Sequence, residues 1–90
     1  MSTLYIIASN RELSFVKELI KIRSREEEVG VLLIQDGVYA YLNFEEHPNV
    51  KIYVSKDDFL ARGLKGDLNL VSYDDMVDLI FNYEKNVSWF

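Results

Sequence analysis

Two kinds of apolar pattern alternate along this chain. Val29 to Ile34 (V-G-V-L-L-I) is apolar at five of six positions without alternation, the pattern of a strand buried on both faces. Thr3 to Ala8 (T-L-Y-I-I-A), Val50 to Val54 (V-K-I-Y-V) and Leu68 to Val71 are further short runs of strand character. Between them the spacing changes. Over Arg11 to Arg23, Leu13, Val16 and Ile20 share one stripe, widened by Phe15, Leu19 and Ile22, while Lys17, Glu18 and Lys21 lie opposite. That is an amphipathic helix of about three turns. Tyr73, Met76, Val77 and Ile80 fall at i, i+3, i+4 and i+7 of a last helix ending near Tyr83.

Polar residues mark where these elements begin and end. Ser9-Asn10 is placed to cap the first helix, and Asp36 to cap a short helix over residues 38–42. Ser55 with Asp58, and Ser72 with Asp75, have capping-box spacing, with Asp in place of the usual Glu. The helix from Lys56 to Arg62 ends at Gly63, suited to a left-handed cap, with Leu64 placed to pack back on its last turn. Asn43 to Asn49 holds the only proline and the only histidine and reads as a loop.

Strand and helix thus alternate about four times, which predicts right-handed crossovers and a three-layer α/β/α fold around a parallel sheet of about four strands. The strands are placed at residues 3–8, 29–35, 50–54 and 68–71. Short connections favour the sequential order 1-2-3-4; a reversal after the first unit, 2-1-3-4, is the alternative.

Length and composition narrow the possibilities. Ninety residues predict one domain, 1–90, and the apolar fraction of 49% with 13% aromatic residues supplies a core. A net charge of −5 opposes a phosphate backbone and argues against direct nucleic-acid binding. The absence of cysteine excludes disulfides, thiolate metal sites and persulfide chemistry on this chain itself. The first residues lack the pattern of a signal peptide, and no run approaches the roughly 20 apolar residues that span a bilayer. A soluble cytoplasmic protein without a membrane partner is expected.

The turns at the carboxyl ends of parallel strands fall on one edge of a sheet, where ligands gather in open α/β folds. Asn10, Gln35, Asp36, Gly37, Ser55, Asp57, Asp58 and Arg62 make that edge the candidate for a ligand or a partner, although most of these residue types also serve as helix caps. Asp58 and Arg62 stand at i, i+4 and can pair. No glycine-rich phosphate loop is present. His47 has no second histidine or cysteine to share a metal, so neither a metal site nor a cofactor is expected. A triad written from Ser9, His47 and Asp36 lacks any nucleophile elbow. Tyr39, Tyr41, Trp89 and Phe90 are aromatic groups of the kind that anchor interfaces, and the short helices leave apolar surface that an oligomer would cover.

Together, V-L-L-I-Q-D-G-V at 31–38, V-K-I-Y-V-S-K-D-D-F-L-A-R-G-L at 50–64 and S-Y-D-D-M-V-D-L at 72–79 resemble the DsrH/TusB family of sulfur-relay subunits. The likeness runs from about Val31 to the C-terminus, and L-A-R-G-L at 60–64 is its most specific part. It implies a fold of the DsrE/F/H type and a place beside DsrE/TusD-like and DsrF/TusC-like subunits. Such complexes pass persulfide sulfur between proteins, for 2-thiolation of the tRNA wobble uridine or for sulfur oxidation. The acceptor cysteine lies on the DsrE-like subunit, so the resemblance implies a chain that is not catalytic alone. The other reading open from the sequence is a stand-alone homo-oligomer that binds a small ligand at the Gln35-Asp36 edge.

Overall fold

A computed structural model describes residues 1–66 and 68–89. Five strands form one sheet: β1 (Ser2–Ile7), β2 (Glu28–Leu33), β3 (Val50–Ser55), β4 (Leu70–Val71) and β5 (Lys85–Trp89). Three α-helices, α1 (Leu13–Arg23), α2 (Lys56–Ala61) and α3 (Tyr73–Asn82), and a 3₁₀ segment, Gln35–Asn43, connect them. The strand order is β4-β3-β2-β1-β5, and every ladder is parallel. The sequential order of the first four strands is therefore realised and the reversed alternative is not.

The faces follow from that order. Successive steps β1 to β2 to β3 to β4 move in one direction, so right-handed crossovers place all three connections on one face. There Val16 and Ile20 of α1, Val38 of the 3₁₀ segment and Phe59 of α2 pack on Tyr5, Ile7, Val31, Leu33, Ile52 and Val54. The step from β4 back to β5 crosses the whole sheet in the opposite direction, and its helix takes the other face. Met76, Leu79 and Tyr83 cover Leu4, Leu32 and Val71 there. Val29 to Leu33 are all buried, as a strand covered on both faces must be.

β5 is the element that the sequence did not disclose. Lys85-Asn86-Val87-Ser88-Trp89 has two apolar residues in five and reads as polar chain, because it is an edge strand exposed from Lys85 to Ser88. Its register beside β1, from Thr3↔Lys85 to Ile7↔Trp89, brings Trp89 onto the core of its own sheet. The ring of Trp89 lies 5.6 Å from that of Phe15. Phe90 lies outside the described residues. β4 is also shorter than expected, only Leu70 and Val71, and β2 ends at Leu33.

The caps divide. Ser72 and Asp75 form a complete capping box at α3, and Ser55 Oγ accepts the Asp58 amide at 3.4 Å. α2 closes as foreseen. Gly63 is left-handed at φ 68, its amide bonds Leu60 O at 3.0 Å, and the Leu64 amide bonds Phe59 O at 3.2 Å. Ser9-Asn10 does not cap α1. That helix starts later, at Leu13, behind a left-handed Glu12 that makes no side-chain cap bond. Nor does Asp36 cap the segment after β2, whose first flanking residue is the extended Ile34. The stripe expected on the last helix is split as well: Met76 faces the sheet, whereas Tyr73 and Ile80 do not.

Gly30 explains itself in the packing of the second face. A Cβ there would lie 2.5 Å from both Cζ and Oη of Tyr83 and 2.9 Å from Leu4 Cδ1. The glycine is the notch in β2 that admits the Tyr83 ring. Burial of that ring raises the hydroxyl above the ordinary tyrosine range, and the neighbouring Tyr53 hydroxyl adds to the shift. Gly30→Ala should cost about 1–2 kcal/mol by overpacking, measured by urea denaturation, and should bring the Tyr83 titration down toward that of a free tyrosine. The raised pKa also fixes a sign. Below about pH 10 the phenol is neutral in both states; above it the unfolded chain ionises first, so stability falls as pH rises. Denaturation midpoints should drop between pH 9 and pH 11, and Tyr83→Phe should reduce that drop.

Candidate functional site

The carboxyl ends of β1, β2 and β3 meet the turns before α1, the 3₁₀ segment and α2. Two of these turns use a non-glycine residue in the left-handed region, Glu12 at φ 51 and Gln35 at φ 49. Each such residue costs on the order of 1 kcal/mol, which neighbouring packing must offset. At the second turn the offset is visible. Ile34 N donates to Ile7 O at 2.9 Å, Gly37 N donates to Ile34 O at 2.8 Å, and a Cβ on Gly37 would come within 2.0 Å of Ile7 O. The Asp36-Gly37 step is thereby pressed against the end of β1.

Arg62 then joins the second and third turns. Its Nε and Nη2 both donate to Asp36 Oδ1, at 3.1 and 3.0 Å. Its Nη1 reaches the Asp58 carbonyl at 3.2 Å and Asp58 Oδ1 at 3.5 Å. The guanidinium also lies 5.9 Å from the centre of the Tyr39 ring. One cation is thus shared by two carboxylates and an aromatic face, and it ties the 3₁₀ segment to α2. The Arg62 side chain is 23% exposed and that of Asp36 66%. The cluster is a half-buried clamp with a wet rim.

Of the edge residues named from the sequence, Asp36, Gly37, Ser55, Asp58 and Arg62 come together in this cluster. Gly37 contributes shape and Ser55 the α2 cap. Asp57 is exposed on the first turn of α2, Asn10 is exposed after β1, and Gln35 is exposed at the turn. The Asp58–Arg62 pair was legible as i, i+4; the Arg62–Asp36 pair, 26 positions apart, had no local signal. Tyr39, read as an interface group, is also part of the clamp. Tyr41 stands edge-on to Phe59 at 5.2 Å and is half-buried. Ser9 Oγ is buried at the same edge with no hydrogen-bond partner among the described residues. His47 pairs with Val50 at the opposite end of the sheet, so Ser9, His47 and Asp36 form no triad.

An open groove of about 820 Å³ lies away from this edge, between α1 and the 42–50 segment. Ile20, Phe44 and Val50 line it together with Lys17, Lys21 and Arg25. Among the described residues no group of three or more His, Cys, Asp or Glu could hold a metal ion, and no helix is long and apolar enough to cross a membrane.

The comparisons with known proteins agree with one another. A family model described as DsrH like protein matches residues 9–86, so the likeness extends back through α1. Protein TusB of Yersinia pestis (strain Pestoides F) and of Yersinia pseudotuberculosis (serotype O:1b, strain IP 31758) are each 29% identical to this chain over 96 residues. The alignment covers 96% of this chain and 99% of theirs. The solution NMR structure of Protein Tm0979 from Thermotoga maritima superposes with a TM-score of 0.61 at 33% identity, covering 90% of this chain and 92% of that one.

Removing the clamp should be measurable without any ligand. Arg62→Ala should cost about 1 kcal/mol in urea denaturation, since it loses two ion pairs and the packing of the side-chain stem. Arg62→Lys should recover less than half of that, because an ammonium cannot bond Asp36 through two nitrogens and reach Asp58 with a third.

Proposed function

The chain belongs to the DsrH family, and from that membership we propose that it is the thiol-free subunit of a sulfur-relay complex. In this reading DsrE/TusD-like and DsrF/TusC-like chains are its partners, and the cytoplasm is its compartment. The relay serves 2-thiolation of the tRNA wobble uridine or sulfur oxidation. The observation that carries the reading is the absence of cysteine in a chain of this family. Sulfane sulfur moves by attack of a thiolate on a bound sulfur atom, and this chain has no atom that can accept or pass it. Its contribution is therefore made by contact: it holds and shapes the cysteine-bearing chains.

The carboxyl edge supports the same division of labour. In many open α/β proteins that edge is the ligand crevice. Here Arg62 is engaged by Asp36, Asp58 and the Tyr39 ring. Such a cluster is a rigid surface feature that a second chain can recognise, with the Asp36 carboxylate and the outer part of the Tyr39 ring at its rim.

Affinity purification of the tagged chain from its native host tests the reading. It should bring down cysteine-bearing DsrE-like and DsrF-like chains in fixed ratio, stable through gel filtration. Recovery of the chain alone, or only as copies of itself, would point instead to the stand-alone binding module.

A further inference from the structure

The two faces of the sheet are unequally covered. One face carries α1, the 3₁₀ segment and α2, while the other carries only α3. Five strands at about 4.8 Å spacing make a surface about 20 Å wide, whereas a helix is about 10 Å across, and the ten residues of α3 are about 15 Å long. One helix of that size leaves part of the second face open. Ile6 and Ile34 stay only partly buried there, and Asn86 and Ser88 of β5, which register with Leu4 and Ile6, are exposed.

α3 is also apolar on more than the side it needs. Met76, Leu79 and Tyr83 face the sheet. Tyr73, Val77 and Phe81 recur at i, i+4 and i+8, with Ile80 beside them, on a stripe about a third of a turn round the helix. Tyr73 is 71% exposed and Phe81 82%. This flank runs from the side of α3 at Tyr73 and Ile80 to its outer surface at Phe81, and so presents an apolar stripe to solvent, away from the sheet.

Charge decides what docks there. α3 carries Asp74, Asp75 and Asp78 and no basic residue. Asp75 is spent in the capping box, and Asp74 and Asp78, both exposed, border the apolar stripe. A second copy docking through the same flank would set aspartates against aspartates, a juxtaposition that costs binding energy. A helix with an apolar stripe and a lysine- or arginine-rich rim fits both features. We propose that the Tyr73/Val77/Ile80/Phe81 flank of α3 docks a basic amphipathic helix of a different chain. The inference rests on the sulfur-relay reading in taking that chain to be one of the cysteine-bearing subunits.

The test uses the full chain and its co-expressed DsrE-like and DsrF-like chains, with dissociation constants measured by surface plasmon resonance. Phe81→Asp and Tyr73→Asp change exposed positions, so circular dichroism and thermal midpoints should stay close to those of the unmodified chain. Each should weaken binding to one of the two chains at least about tenfold, as loss of a central aromatic contact does. Asp78→Lys should weaken the same interaction by an amount that shrinks as salt rises. Leu42→Asp, on the opposite layer, should leave the constant within about twofold. Binding unchanged by the α3 variants, with assembly otherwise intact, overturns the docking site and leaves the relay reading standing. A homodimer of the isolated chain that Phe81→Asp dissolves overturns it in favour of a second copy. Failure of the unmodified chain to bind either subunit overturns the relay reading and this inference with it.

Discussion

The molecule depends on β2 having no wet face. Its residues Val29 to Leu33 are all buried, so helices must lie on both sides of the sheet. A chain of this length has few helices to spend. Three connections running one way across the sheet all fall on one face, because right-handed crossovers allow nothing else. Only the return from β4 to β5 supplies the other face, and it supplies one helix. Gly30 is where the two demands meet: the strand gives up a side chain at its centre so that Tyr83 can close over it.

That asymmetry links fold to function. The first face carries the larger core, from Val16 and Ile20 on α1 to Phe59 on α2. The second is provisional, with α3 half turned outward and an edge strand that is mostly exposed. At the carboxyl edge Arg62 draws Asp36 and Asp58 into one half-buried cluster with a wet rim. The thiol-free composition and the half-covered second layer are the features on which the subunit reading of this DsrH-family chain rests.

Much of this architecture was legible from the sequence because its strands are buried and its caps are local. The apolar runs at 3–8, 29–34 and 50–54 announce strands without needing any partner, and Ser72 with Asp75, or Gly63 with Leu64, act within one helical turn. What stayed hidden depends on the fold. Lys85 to Trp89 looks polar because β5 is an exposed edge, and only its register with β1 makes it a strand. The delayed start of α1 and the freeing of Asp36 from capping follow from the left-handed turns at Glu12 and Gln35. At the candidate site the i, i+4 pair of Asp58 and Arg62 could be read directly. The longer reach from Arg62 to Asp36 exists only once β2 and β3 lie side by side.

The division of labour between this chain and cysteine-bearing subunits is tested by sulfur transfer in a reconstituted mixture, read by intact-mass spectrometry of each chain after addition of a persulfide donor. Added sulfur is expected on the cysteine-bearing chains and none on this one, with transfer to the final acceptor slowed when this chain is left out. A stable sulfur adduct on this chain, or transfer that proceeds equally well in its absence, would contradict it.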